Sequence, residues 1–201
     1  MNRSNATIDT EADIGESVKI NNNSILYLKK ISITVIEEMM NIPDLSDFLT
    51  EGLFQIPLGK LRISAVKLHA VCRYNKGVKK TDDISPNNVK RIDIHPMALD
   101  VRWERYAKFL LFHEYLHALG FPNHGKEFRR LEALWYDDEA RGMGRSFSLH
   151  IRMLNTRWIW FCPSCDIKHT RSKRSNGRYR CRSCLSILID VANEAQLLEI
   201  R

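Results

Sequence analysis

The sequence predicts an α+β protein: a helical body with a small antiparallel sheet, followed by a compact cysteine-built appendage. Three observations carry this. Residues 101–119 contain Phe109-Leu110-Leu111-Phe112, apolar on every side of a helix and so suited to a buried one. Residues 61–74 and 91–95 read as strands, the first with room for a bend and the second by apolar/polar alternation stopped at Pro96. Two Cys-x-x-Cys pairs stand fifteen residues apart near the C-terminal end.

The elements follow in order. Residues 1–24 are polar, rich in Asn and Ser and aperiodic, and read as a disordered tail. The stretch from Ile25 to Met40 has helix length and apolar content, although β-branched residues at 31–36 weaken its propensity. A short helix is expected from Asp44 to Leu49, ended by Gly52. Strand 61–74 ends in the turn Asn75-Lys76-Gly77, and Thr81 to Asn88 reads as a loop. The helix at 101–119 stops at Gly120, with Pro122 beyond. A further helix starts near Gly125 and sets Phe128, Leu131, Leu134 and Trp135 on one side. Residues 137–146, Asp-Asp-Glu-Ala-Arg-Gly-Met-Gly-Arg-Ser, read as a linker or turn.

Composition bounds the class. With 44% hydrophobic and 27% charged residues the chain is globular, and five cysteines exclude a disulfide-framed miniprotein. The N-terminus has no apolar core and carries acids, so a secretory signal is not expected. No run of 18 apolar residues occurs, so no membrane partner is expected either. The expected location is cytoplasmic, or nuclear or nucleoid-associated, where paired cysteines hold metal more often than they form disulfides. An excess of 31 Lys+Arg over 24 Asp+Glu gives a formal charge of +7, which allows an anionic partner.

Chemistry concentrates in two clusters. His113-Glu114-Tyr115-Leu116-His117 is an HExxH motif. On a helix, positions i and i+4 share a face, so His113 and His117 can reach one zinc ion. Glu114 lies one residue round and is suited to take a proton from a water polarised by that zinc. A third ligand is required, and His124, past the turn Gly120-Phe121-Pro122, is the natural one; Glu127, one turn further on, is the alternative. Position 123 is Asn, so the third-His spacing of a metzincin is absent. His150, Tyr115 and Tyr136 are candidate donors to an oxyanion. Cys162, Cys165, Cys181 and Cys184 have zinc-ribbon spacing, and four thiolates complete a closed, structural tetrahedral site. Two zinc ions are therefore expected, one catalytic and one structural. Lys168, Arg171, Lys173, Arg174, Arg178 and Arg180 surround the cysteines and can meet phosphates, while Trp158, Trp160 and Tyr179 can stack on bases. Cys72, His69, His95 and His150 have no spacing partner and read as structural residues.

The HExxH segment, then His124-Gly125-Lys126-Glu127-Phe128, then the four cysteines together resemble the SprT-like family, to which Spartan-type DNA-dependent proteases belong. The resemblance covers roughly residues 60–190. It implies a zincin-like metalloprotease domain at 25–157, a zinc ribbon at 158–190 and a short tail at 191–201. It also implies zinc at His113, His117 and His124, Glu114 as general base, and action on proteins bound or crosslinked to DNA, single-stranded DNA included, as in DNA repair. The loop from His117 to His124 is short compared with some family members, and no ubiquitin- or clamp-binding motif follows Cys184. Two other readings remain: a non-catalytic nucleic-acid-binding zinc-ribbon protein associated with transcription, and a zinc peptidase with no nucleic-acid role. Oligomeric state is not readable from the chain.

Overall fold

The computed structural model describes residues 22–49, 51–81 and 83–193. The tails expected at 1–24 and 191–201 lie largely outside this range. Helix α1 (Asn22–Met40) already begins at Asn22, and strand β6 (Ile189–Ala192) runs past residue 190.

Along α1, Leu28, Ile31, Ser32, Val35, Ile36 and Met39 are buried, which is the i, i+3, i+4, i+7, i+8, i+11 row of one helix face. The β-branched stretch is tolerated because burial of this row, not propensity, holds the helix. Instead of the short helix expected at 44–49 there are two 3₁₀ turns, Pro43–Leu45 and Glu51–Gln55. Strand β1 (Leu58–Lys60) follows. Of the long strand expected at 61–74, only β2 (Ala70–Tyr74) is extended. The residues between them carry the chain to the far side of β3 (Val89–Ile94), giving the order β1-β3-β2. β2 is antiparallel to β3 but β1 is parallel to it, so the expected antiparallel sheet is in fact mixed. Gly59 is required there, because a Cβ would overlap the Asp93 carboxylate opposite it. Asp93 itself is fully buried and held by Arg73 (2.5 Å) and Arg91 (3.0 Å).

Helix α2 (Glu104–Ala118) packs against the sheet, α1 and α4, and is buried on most sides, as its apolar run predicts. Ser32 of α1 and Tyr115 of α2 share a buried hydrogen bond of 2.7 Å. Gly120 ends the helix at φ +101°, a conformation L side chains avoid. Helix α3 (Lys126–Glu132) buries Phe128 and Leu131. The stretch 137–146, expected to be a linker, is instead the first part of helix α4 (Asp138–Leu154). Asp137 caps it by accepting from the Ala140 N–H (3.0 Å), and Arg105 clamps Asp137 and Glu139. Ala140, Phe147 and Ile151 anchor it in the core. Packing and a cap thus override the two glycines that made the segment look irregular.

The appendage is a second sheet of three antiparallel strands, β4 (Trp158–Phe161), β5 (Lys168–Arg171) and β6, in the order β5-β4-β6. Among the described residues no helix is long and apolar enough to cross a membrane.

Candidate functional site: two convergent ligand sets

Burial of α2 aims His113 and His117 from one face, and the turn after Gly120 returns His124 to meet them. The Nε2 atom of His124 lies 3.0 Å from Nε2 of His113 and 3.1 Å from Nε2 of His117. Ligands ~2.0 Å from one tetrahedral zinc are separated by ~3.3 Å, so the spacing suits that ion. The orientation suits it as well. Nδ1–H of His113 donates to Glu132 Oε1 (2.6 Å), and Nδ1–H of His117 donates to the Phe121 carbonyl (2.7 Å). Each of these rings therefore turns an Nε2 lone pair toward the common point, the orientation a metal ligand needs. Phe128, 1% exposed, lies under all three imidazoles with ring centroids 4.8–4.9 Å away. Burial lowers the pKa of His117 to about 4 and also lowers that of His124, so both favour the neutral form a ligand needs.

Glu114 shares the cleft but points to the sheet. The backbone N–H of Cys72 donates to its Oε2 at 2.6 Å. Burial pushes its carboxyl up to about 7, against the opposing pull of His113 and the Cys72 N–H. The cleft, about 450 Å³, lies between α2 and the β2 edge and is also lined by Tyr74 and Lys80. Glu127 is elsewhere, exposed and paired with Arg130, so it is not the third ligand. None of the expected oxyanion donors lines the cleft. Tyr115 is spent on Ser32, Tyr136 bonds Glu38 on the surface, and His150 packs on Trp103. Sequence reasoning missed Glu132, which nothing but its acidity one turn after Phe128 advertises. Burial pushes Glu132 up, but hydrogen bonds from His113 and Arg129 outweigh it and hold the carboxyl below the usual range. Reasoning from single residues also placed Cys72 and His69 in a purely structural role, whereas both line the cleft.

The second set is built from two copies of one turn. In each Cys-x-x-Cys pair the residue after the second cysteine has positive φ, Asp166 at 56° and Leu185 at 63°. Its N–H returns to the first cysteine's carbonyl, Asp166 to Cys162 (2.9 Å) and Leu185 to Cys181 (3.0 Å). The first cysteine's N–H in turn donates to the carbonyl five residues on, Ile167 or Ser186. These turns bring Cys162, Cys165, Cys181 and Cys184 to one point, their sulfurs all within 4.8 Å of one another. Such a set fits a four-thiolate zinc with no open position. Hydrogen bonds from the Ser186 side chain and backbone lower Cys184 to about 6, favouring thiolate there.

Set against models of known protein families, curated proteins and solved structures, the chain matches none.

Of the six basic residues singled out in the sequence, four gather. Arg171, Lys173, Arg174 and Arg178 line a concavity of about 430 Å³ with Trp160 and Tyr179, whose rings stack at 4.4 Å. Arg171 lies over Trp160 and Arg174 over Trp158, at 4.9 and 4.0 Å. Lys168 and Arg180 do not line it, and Arg180 donates to the Leu185 carbonyl instead.

Proposed function

We propose that the chain is a zinc metalloendopeptidase of the SprT-like kind that acts on proteins bound or crosslinked to DNA. The single observation carrying the enzymatic part is the convergence of three imidazole Nε2 atoms beside a buried carboxylate in an open cleft. His113, His117 and His124 would hold zinc, which supplies a Lewis acid for a water and a peptide carbonyl. Glu114 then takes the proton of the attacking water and passes it to the leaving amine. The Cys72 N–H orients that carboxylate from the strand, and Glu132 with the Phe121 carbonyl hold the imidazoles in the required tautomer.

The DNA part rests on the ribbon concavity. Guanidinium groups over tryptophan faces beside a stacked Trp-Tyr pair suit a phosphate backbone with unpaired bases. The same concavity favours a second reading, a nucleic-acid-binding protein that does not cut. One experiment separates the two: digestion of a DNA-binding protein by the purified chain, with and without single-stranded DNA, beside Glu114→Gln. Cleavage that needs both DNA and Glu114 supports the protease. DNA binding without cleavage, in a chain carrying two zinc ions, supports the second reading.

A further inference from the structure

The cleft continues well beyond the imidazoles. Tyr106, Phe109, Leu110, His113, Glu114 and His117 line it along one side of α2. Tyr106 precedes His113 by seven residues, ~10 Å along the helix at ~1.5 Å per residue. Leu68, two residues before β2, and Ala70, its first residue, also line the cleft. This far end differs in character from the metal end. Lys67 is its one charged lining residue, and that side chain is exposed at the rim.

Its floor is also held rigidly. The Tyr106 hydroxyl meets His69 Nδ1 at 2.7 Å, and the other ring nitrogen of His69 meets Ser148 Oγ at 3.1 Å. Phe147 packs edge-on against His69, with ring centroids 4.9 Å apart, and its ring lies 5.3 Å from that of Tyr106. Gly144 leaves room for the Tyr106 hydroxyl, which would sit 3.1 Å from a Cβ at that position. Burial lowers His69 and pushes Tyr106 up to about 12, so both are neutral at pH 7. The polar side-chain atoms of His69, Tyr106 and Ser148 are thus engaged with one another, so the side chains of this end offer the cleft ring and aliphatic surface.

We propose that this end of the cleft is a specificity subsite for an apolar side chain about three residues from the scissile bond of an extended peptide. The inference rests on the protease reading and deepens it. Among the described residues β2 has a strand neighbour, β3, on one side only, and residues 70–72 line the cleft. An extended chain beside them advances ~3.3 Å per residue, so ~10 Å separates the zinc ligands from the subsite by three residues. Leu or Phe fills the space, while Asp or Lys would lose its hydration against a neutral floor.

The test uses the full chain with zinc and single-stranded DNA. Two sets of quenched fluorogenic peptides carry Leu, Phe, Asp or Lys at the third residue on either side of the cleavage point. Binding of the same peptides to Glu114→Gln is read by anisotropy. Expected is a preference for Leu and Phe of about tenfold or more in kcat/KM in one of the two sets, with the same order in binding. Leu68→Glu, at a position already 42% exposed, is expected to erase that order and favour Lys. Equal cleavage of all peptides in both sets overturns the subsite and leaves the protease reading standing. Apolar-selective binding without any cleavage upholds the subsite and sinks the protease reading. Neither cleavage nor selective binding overturns both.

Discussion

The two ligand sets use the same expected ion in opposite ways. Two of the histidines hang from α2, and the third from the turn after it, on a large core that draws on α1, α2, α3, α4 and the first sheet. The cysteines sit in an appendage whose own buried core is Cys162, Cys181 and Leu188, with Trp160 and Cys165 packed against it. In the first region folding builds the site; the second has only a small core of its own, and a bound zinc would supply what that core lacks. The first is open to a cleft and the second is filled by four sulfurs. On the proposed reading, that contrast gives chemistry to one and architecture to the other.

The largest effect that could break this contrast comes from removing a thiolate. Cys181→Ser is expected to cost the ribbon its zinc, on the order of 10 kcal/mol of folding free energy. Amide exchange should then be lost from protection in β4, β5 and β6 while α2 stays protected. Loss of α2 protection as well would show that the two regions fold as one unit.

Next in size, Glu114→Gln should lower proteolysis by about 10²–10⁴-fold with both zinc ions retained, as read by metal analysis. A fall in zinc content would make Glu114 a ligand instead of a base.

A smaller change sharpens the histidine side. Glu132→Gln should weaken zinc binding there by about 10–100-fold and leave the ribbon zinc untouched, measured by competition with a chelator.

The smallest concerns pH. His95 is fully buried, with Nε2–H donating to the Ile63 carbonyl and Nδ1 accepting from the Met97 N–H. Burial depresses its pKa from 6.5 to about 4, with the neighbouring His69 adding to the effect. The unfolded chain takes up a proton that the folded one refuses. Stability is therefore full above pH 6.5 and is lost as pH falls toward 4, by about 1–2 kcal/mol at pH 5. Urea melts at pH 7 and pH 5 should show the difference, and it should shrink in His95→Gln.

Much of both ligand sets was legible because their information is local. His113 and His117 are one helical turn apart, and each cysteine pair lies within a single turn of chain. His124 was legible only as a residue that a glycine-led reversal could return, and the structure places its Nε2 beside theirs. Helix α4 was misread at 137–146 because its large anchors, Phe147 and Ile151, lie beyond the segment that looked irregular, and its clamp, Arg105, lies on α2. Glu132 and the subsite floor were invisible for a similar reason. His69, Tyr106 and Ser148 come from three separate stretches of the chain, and no spacing rule joins them.

What the sequence determined by itself is therefore whatever repeats at short range: the buried helix from its apolar run, the paired histidines from their spacing, the four-cysteine cluster from its two turns. What only the tertiary structure decided is whatever closes over a long loop. This includes the parallel pairing of β1 with β3, the strand N–H that orients Glu114, the carboxylate that orients His113, and the neutral floor of the cleft. Such contacts join residues that are distant in the chain. They form once the core has brought those residues together, and local residue preference encodes none of them.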